Sequence, residues 1–143
     1  VVLWRSWSLT RGGPMVLAWT VVFSSKAMLL RHCMSADTLV NFPKEELSTL
    51  RCLGGRRQGH PCRDRLPGIE LSTGSLGLGI SAGLGMALAS GISGDSYRVF
   101  VLCGDGELNE GQNWEAFMAM NKWKPHNLTV IVDYNRVQLD GTA

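Results

Sequence analysis

The sequence predicts an α/β domain in which helices flank a parallel β-sheet, and three observations support this prediction. "GDSYRVFVLCGD" (residues 94–105) is a turn followed by an apolar run, which is typical of a strand buried on both faces. "NLTVIVDYN" (residues 127–135) is a second such run that ends on polar residues. Helical patterns precede and separate the two runs, and this alternation favours a parallel sheet.

The elements follow one another in three zones. Residues 1–41 show no sustained hydrophobic period. "PKEELSTLRCL" (residues 43–53) predicts a short helix, and a loop rich in Gly, Arg and Pro follows it at residues 54–68. "STGSLGLGISAGLGMALAS" (residues 72–90) predicts a glycine-rich turn and then a helix of small residues. Because small side chains let neighbouring backbones approach closely, we expect this helix to be well buried.

The second helical pattern of the third zone, "NEGQNWEAFMAMNKW" (residues 109–123), has Trp114, Phe117 and Met118 on one face. It separates the two strands, so it predicts the crossover helix that neighbouring parallel strands require. In such sheets, ligands bind at the carboxyl ends of the strands. We therefore expect the functional residues just after each strand.

Composition excludes several classes of function. The 143 residues suffice for one domain or part of one, and the net charge of +2 is too small to indicate a nucleic-acid partner. The apolar run at residues 14–23 is shorter than the roughly 20 residues that span a bilayer, so no membrane role is expected. The four cysteines lack CxxC spacing, and Cys52, His60 and Cys62 fit no common zinc pattern. We expect reduced thiols in a cytoplasmic protein.

Polar and glycine residues follow both predicted strands. A crossover helix would bring Asp105 and Asn135 side by side, and their oxygens with a main-chain carbonyl suit a hard divalent cation such as Mg²⁺. Gly104 and Gly106 let the backbone approach a phosphate group, which the following helix N-terminus also favours. Together these residues predict a site for a magnesium diphosphate. The alternative is that Asp105 and Asn135 only cap turns.

A longer set of motifs resembles one known family. "GDGELNEGQNWEAFMAMNKWKPHNLTVIVDYNRVQLDG" is similar to the thiamine-diphosphate motif of transketolases, in which GDG is followed about thirty residues later by Asn. "GHP" (residues 59–61) and "PGIELSTGSLGLGISAGLGMALA" also resemble the transketolase N-terminal region, in the form found in two-subunit enzymes. The resemblance covers residues 42–143. It implies a partial thiamine-diphosphate-binding domain there.

The resemblance implies a role for each matching residue. Asp105 and the Asn135 side chain would bind Mg²⁺, or Ca²⁺ or Mn²⁺ in its place, with the main-chain carbonyl of Val137 as the third protein ligand. Gly106 and Asn135 would contact the diphosphate of thiamine diphosphate. Gly104 precedes them and belongs to the same cofactor-binding set.

Further matches lie upstream of the first strand. Gly74, Ser75 and Leu76 match the family's Gly-Pro-Leu turn beside the aminopyrimidine of the cofactor, with Ser75 in place of the proline. His60 matches a histidine that reaches the reacting carbons and the substrate hydroxyls. The resemblance therefore implies a catalytic His60, because an imidazole can donate or accept a proton near neutral pH.

Carboxylates of the second helix have two interpretations. Glu110 matches a glutamate at the family's subunit interface, and the alternative is a carboxylate that the helix N-terminus favours. Glu107 and Glu115 are interpreted as solvated or as serving the helix dipole. The resemblance implies a partner, the pyrimidine-binding C-terminal subunit or domain, in a homodimer or heterotetramer.

The implied reaction is transfer of a two-carbon ketol unit from a ketose phosphate to an aldose phosphate. Because the family needs a glutamate on the pyrimidine-binding domain, we expect little or no turnover by this chain alone. Related thiamine enzymes, such as deoxyxylulose-phosphate-synthase-like or dehydrogenase subunits, share the GDG motif, and a non-catalytic remnant is a further alternative. "GLGISA" (residues 77–82) fits a loose dinucleotide-binding pattern, but no clear strand precedes it.

The first zone carries a separate prediction. "VVFSSK" (residues 21–26) resembles the start of the family segment "VVFSSKGHAAPALY", and residues 27–34 differ from its continuation. Codons that encode the family residues give "AMLLRHCM" when one base is dropped. We therefore expect much of residues 1–41 to be translated out of frame and poorly ordered. We also expect further strands of the domain beyond residue 143, and an open sheet edge without them.

Overall fold

Three strands form a parallel sheet in the computed structural model, which describes residues 19–23, 48–60, 62–65, 71–138 and 141–142. The strands are β1 (Trp19–Phe23), β2 (Arg98–Gly104) and β3 (Leu128–Asp133), and they lie in the order β1-β2-β3. In the register of β2 with β3, Gly104 lies opposite Asp133. The predicted α/β fold with a parallel sheet is confirmed.

Strand β2 lies in the middle of this sheet and supplies most of the core. Val99, Val101 and Cys103 are completely buried, and the residues between them are less so. This alternation follows from the two-residue period of a strand. Because β2 pairs on both sides, its backbone polar groups are satisfied within the sheet.

Helix α1 (Leu78–Ser93) packs on the sheet through Ile80 and Ala87. We expected this helix to be well buried, and within the described residues only part of it is. Leu78 and Ile92 are exposed, because the sheet and the following helix (Gly111–Trp123) cover only one side of α1. The helix therefore has one buried face.

Helix α2 (Gly111–Trp123) connects β2 to β3, as predicted for a crossover helix. Its buried residues are Asn113 and Ala116. Trp114 and Met118 of the predicted apolar face are exposed, and the Trp114 ring contacts Phe117 edge to face at 5.7 Å. Phe117 and Met120 pack against the core, so the apolar stripe of α2 is only partly buried.

Strand β3 was expected to be buried, and the structure contradicts this. Ile131 and Val132 are exposed, because β3 lies at the edge of the described sheet. After β3, strands β4 (Val137–Gln138) and β5 (Gly141–Thr142) pair antiparallel.

The first two zones are described only in part. Residues 43–47 of the expected short helix lie outside the described residues, and residues 48–54 form tight turns in which Arg51 has a φ of 59°. The helix therefore does not continue to Leu53. Within residues 1–41, Trp19–Phe23 forms β1, whereas residues 27–34 lie outside the described residues and their origin stays a prediction. None of the helices in the described part of the chain has the length and hydrophobicity to cross a membrane.

Candidate functional site

Asp105 follows β2 and is the centre of the candidate site. Only 7% of its surface is exposed. Its Oδ1 accepts a hydrogen bond from the Gly106 N–H at 2.9 Å, and its Oδ2 accepts one from the Arg136 N–H at 2.6 Å. The second bond joins the end of β2 to the loop that follows β3. The structure therefore brings the two predicted halves of the site together.

The loop after β3 is held by its own polar side chains. Asn135 Nδ2 donates to the Asp133 carboxylate at 3.2 Å, and Asn135 Oδ1 accepts from the Val137 N–H at 2.9 Å. Arg136 between them has a φ of 62°, and its guanidinium lies 5.3 Å from the centroid of the Tyr134 ring. Asn135 and Val137 are both exposed.

These contacts bear on the two interpretations of Asp105 and Asn135. Both side chains accept hydrogen bonds from backbone N–H groups, as turn-capping residues do. A carboxylate offers about four acceptor positions and an amide oxygen two, so both residues keep lone pairs for a cation. The oxygen donors fit a hard divalent ion. Among the described residues, no three His, Cys, Asp or Glu side chains lie together as a metal cluster.

Gly106 is closely covered by the chain that follows the loop. A Cβ atom at this position would lie 2.9 Å from Cβ of Gln138, whose Oε1 accepts a hydrogen bond from Asn109 Nδ2 at 3.3 Å. Glycine at 106 therefore permits the close approach of these two segments. Gly104 ends β2 directly beside them.

The turn before α1 lies against His60. Gly74 has a φ of 134°, and a Cβ atom there would lie 2.7 Å from Cδ2 of the His60 ring. Ser75 and Leu76, which complete the predicted turn, are exposed. The structure therefore places the two upstream motifs next to each other. His60 also lines an open cleft of about 550 Å³ with several polar residues, including Arg51, Gln58 and Arg65.

Glu107 is the site residue that sequence reasoning missed. We interpreted it as solvated or as serving its own helix, yet only 2% of its surface is exposed and its Oε1 accepts the Gly77 N–H at 2.8 Å. Residues 99, 101, 103, 105 and 107 are all buried. Asp105 and Glu107 are buried beyond the end of β2, where a 3₁₀ turn (Gly106–Asn109) follows the strand, so the alternation of the strand does not predict the burial of Glu107.

Two buried groups surround Glu107. Asn113 Nδ2 donates to the main-chain carbonyl of Glu107 at 2.6 Å, and Asn113 is completely buried. Burial, and to a lesser degree the negative charge of Glu107, raises the pKa of Cys103 to about 11. The carboxylate of Glu107 therefore lies in a closed environment, where its charge acts on a neighbouring thiol.

Glu110 and Glu115 are both exposed. Glu110 is the N-cap residue of α2, although its side chain makes no capping hydrogen bond. A Cβ atom on Gly77 would lie 2.8 Å from Cβ of Glu110, so the turn before α1 packs directly on this residue.

A family model described as "Transketolase, thiamine diphosphate binding domain" matches residues 21–143. The chain belongs to the transketolase family. The match includes the Gly104–Asp105–Gly106 corner, the loop after β3, the turn at residues 74–76 and His60. It begins at residue 21, which is the first residue of "VVFSSK", the upstream segment that also resembles the family.

Transketolases and proteins named as transketolase subunits are similar to this chain in sequence. An apulose-4-phosphate transketolase subunit from Phocaeicola vulgatus is 46% identical over 117 residues, which cover 78% of this chain and 41% of that protein. Transketolase 1 of Saccharomyces cerevisiae is 35% identical over 152 residues, covering 96% of this chain and 22% of that protein. The chain therefore spans between 22% and 41% of the length of these two relatives.

Solved transketolase structures share the fold. The Pichia stipitis enzyme in complex with sedoheptulose-7-phosphate superimposes with a TM-score of 0.81 at 30% identity, over 87% of this chain and 20% of that one. The Leishmania mexicana transketolase gives a TM-score of 0.76 at 31% identity. The described elements are thus part of a transketolase thiamine-diphosphate-binding domain.

Proposed function

We propose that this chain supplies the metal-diphosphate half of a transketolase site, for transfer of a two-carbon ketol unit from a ketose phosphate to an aldose phosphate. The observation that carries the proposal is the 2.6 Å hydrogen bond from the Arg136 N–H to Asp105 Oδ2. It joins the Gly-Asp-Gly corner to the loop that holds Asn135. The transketolase relatives support the reaction class.

Three oxygen donors would hold the metal in this proposal. They are the Asp105 carboxylate, Asn135 Oδ1 and the main-chain carbonyl of Val137, and Mg²⁺, Ca²⁺ or Mn²⁺ would accept such a set. Gly104, Gly106 and Asn135 would lie beside the diphosphate. Bound thiamine diphosphate supplies a nucleophilic carbon that the side chains of proteins do not offer.

The upstream residues would act on the other end of the cofactor and on the sugar. Gly74, Ser75 and Leu76 would lie against the aminopyrimidine, and the contact of Gly74 with His60 supports a common location for both. His60 is exposed, so its imidazole can exchange a proton with a sugar hydroxyl. Glu110 would face a second protein chain at the interface.

A partner and a cellular location complete the proposal. The relatives from Phocaeicola vulgatus and Actinobacillus succinogenes are each named as one subunit of a transketolase, which supports a separate pyrimidine-binding subunit for this chain. The partner would complete a homodimer or heterotetramer. Cys52, Cys62 and Cys103 are free thiols, which agrees with a reducing compartment such as the cytoplasm.

The test is a titration of the purified chain with thiamine diphosphate, followed by calorimetry, in MgCl₂ and in EDTA. We expect saturable binding only with Mg²⁺, and a loss of affinity of more than about tenfold in Asp105→Asn. Asp95→Asn is the matched control, since Asp95 is exposed and precedes β2 rather than following it. Binding of thiamine diphosphate without Mg²⁺ would refute the proposed metal site. Equal affinity of Asp105→Asn and Asp95→Asn for thiamine diphosphate would also refute it. No binding at all would indicate a non-catalytic remnant.

A further inference from the structure

Helix α1 begins without a side-chain cap of its own. Its N-cap residue is Gly77, which has a φ of 86° and no side chain to accept a hydrogen bond from the first turn. No acidic residue lies in that first turn. A negative charge that stabilises this N-terminus would therefore have to come from another part of the chain.

Glu107 supplies that charge from a different element. Its Oε1 accepts the Gly77 N–H at 2.8 Å across thirty residues of sequence, and the contact is buried. A hydrogen bond to an ionised group is stronger than one between neutral groups. The carboxylate thus fixes the position of the turn at residues 74–77 relative to the 3₁₀ turn Gly106–Asn109.

Glu107 is itself rigidly held, and it lies two residues from Asp105. Its main-chain carbonyl accepts the Asn113 side chain at 2.6 Å. The Asp105 carboxylate contacts the loop after β3, whereas the Glu107 carboxylate contacts the turn before α1. One three-residue segment, 105–107, therefore sets the position of both chain segments that would flank the cofactor.

We infer that Glu107 is a positioning residue that holds the turn at residues 74–76 at the distance from Asp105 that thiamine diphosphate requires. This inference rests on the proposed function. Glu107 contacts neither metal nor diphosphate in it. Loss of the carboxylate should therefore weaken recognition of the pyrimidine end and leave recognition of the diphosphate end unchanged.

Two ligands distinguish recognition of the pyrimidine end of the cofactor from recognition of its diphosphate end. In the purified full chain with MgCl₂, calorimetry would measure the affinity for thiamine diphosphate and for inorganic pyrophosphate, which lacks the organic rings. In Glu107→Ala we expect thiamine diphosphate to bind about tenfold more weakly, and pyrophosphate to bind within about twofold of the unaltered chain. Glu107→Gln keeps an oxygen acceptor of the same reach, so it should restore most of the lost affinity.

If the proposed function itself is wrong, the unaltered chain binds neither thiamine diphosphate nor pyrophosphate with Mg²⁺. That result differs from each of the outcomes that test the positioning role. An equal loss for both probes in a folded Glu107→Ala variant, or no loss for either, would overturn the positioning role. If Glu107→Ala does not fold, Glu107→Asp replaces it, because its shorter side chain withdraws the oxygen from Gly77 and keeps the charge. A Glu107→Asp variant that binds thiamine diphosphate as well as Glu107→Gln would also contradict the inference.

Discussion

At the residue scale, the thiol of Cys103 shows how burial changes chemistry in this chain. Cys103 is completely buried in β2, and its pKa is raised from 9.0 to about 11, by burial first and by Glu107 second. The folded chain therefore holds the proton more strongly than the unfolded chain. Between pH 9 and 11 the unfolded state loses this proton first, so the contribution of Cys103 to stability falls as the pH rises.

The first prediction concerns the reactivity of this thiol. At pH 8.5 the thiolate of Cys103 is about 100-fold scarcer than that of an unperturbed cysteine, and reagents cannot reach it. We expect Cys52, which is exposed, to react with iodoacetamide in the folded chain, and Cys103 to react only after unfolding in urea. Peptide mass mapping after timed labelling measures both rates. Equal rates for the two cysteines in the folded chain would contradict the placement of β2 in the core.

Sequence reasoning identified some site residues and missed others for a physical reason. Asp105 and Asn135 could be paired because neighbouring parallel strands bring their carboxyl ends together, and the structure joins these two loops. Glu107 could not be recognised as readily, because a glutamate is seldom buried and its partner is a backbone N–H thirty residues away. The residue types in the sequence do not reveal such a backbone partner.

At the element scale, the packing of α1 on β2 depends on Gly83. A Cβ atom at this position would overlap Cγ2 of Val101 and would also approach Val99. Gly85, two residues further along the same helix, has no atom within 4 Å of its Cβ position. Replacing each of these two glycines by alanine therefore distinguishes the effect of packing on stability from the effect of helix propensity.

The second prediction follows from this difference. Gly83→Ala should destabilise the chain by about 1–3 kcal/mol, because an extra methyl group in a packed interior displaces its neighbours. Gly85→Ala should stabilise it by about 0.5–1 kcal/mol, since alanine favours a helix more than glycine does. Urea unfolding followed by circular dichroism gives both changes. A Gly83→Ala variant as stable as Gly85→Ala would show that α1 does not pack closely on β2.

The predicted elements differ in how well their surroundings could be anticipated. The apolar runs located β2 and β3 correctly, because their β-branched residues and bounding turns are local features. The burial of β3 was overestimated, since burial depends on neighbours that the run itself does not specify. The burial of helix α1 was overestimated for the same reason. Its small residues permit close packing on several faces, but in the described chain only one face is packed.

At the scale of the whole molecule, several large apolar side chains lie exposed on α2 and β3. They are Trp114, Met118, Trp123, Ile131 and Val132. Natural proteins cover large apolar patches with partners or with further chain. The chain spans 41% of its relative from Phocaeicola vulgatus. The described residues leave these side chains uncovered.

The last prediction concerns turnover and rests on the proposed function. The chain would supply the metal and diphosphate ligands, whereas the group that activates the cofactor would lie on the pyrimidine-binding partner. We therefore expect the pure chain, with thiamine diphosphate and MgCl₂, to form no detectable product from xylulose 5-phosphate and ribose 5-phosphate. Chromatography of the sugar phosphates with mass detection measures this. Because traces of a host transketolase would imitate activity, Asp105→Asn purified in the same way is the control. Product that scales with the concentration of the chain and disappears in Asp105→Asn would show that the chain catalyses ketol transfer without a partner.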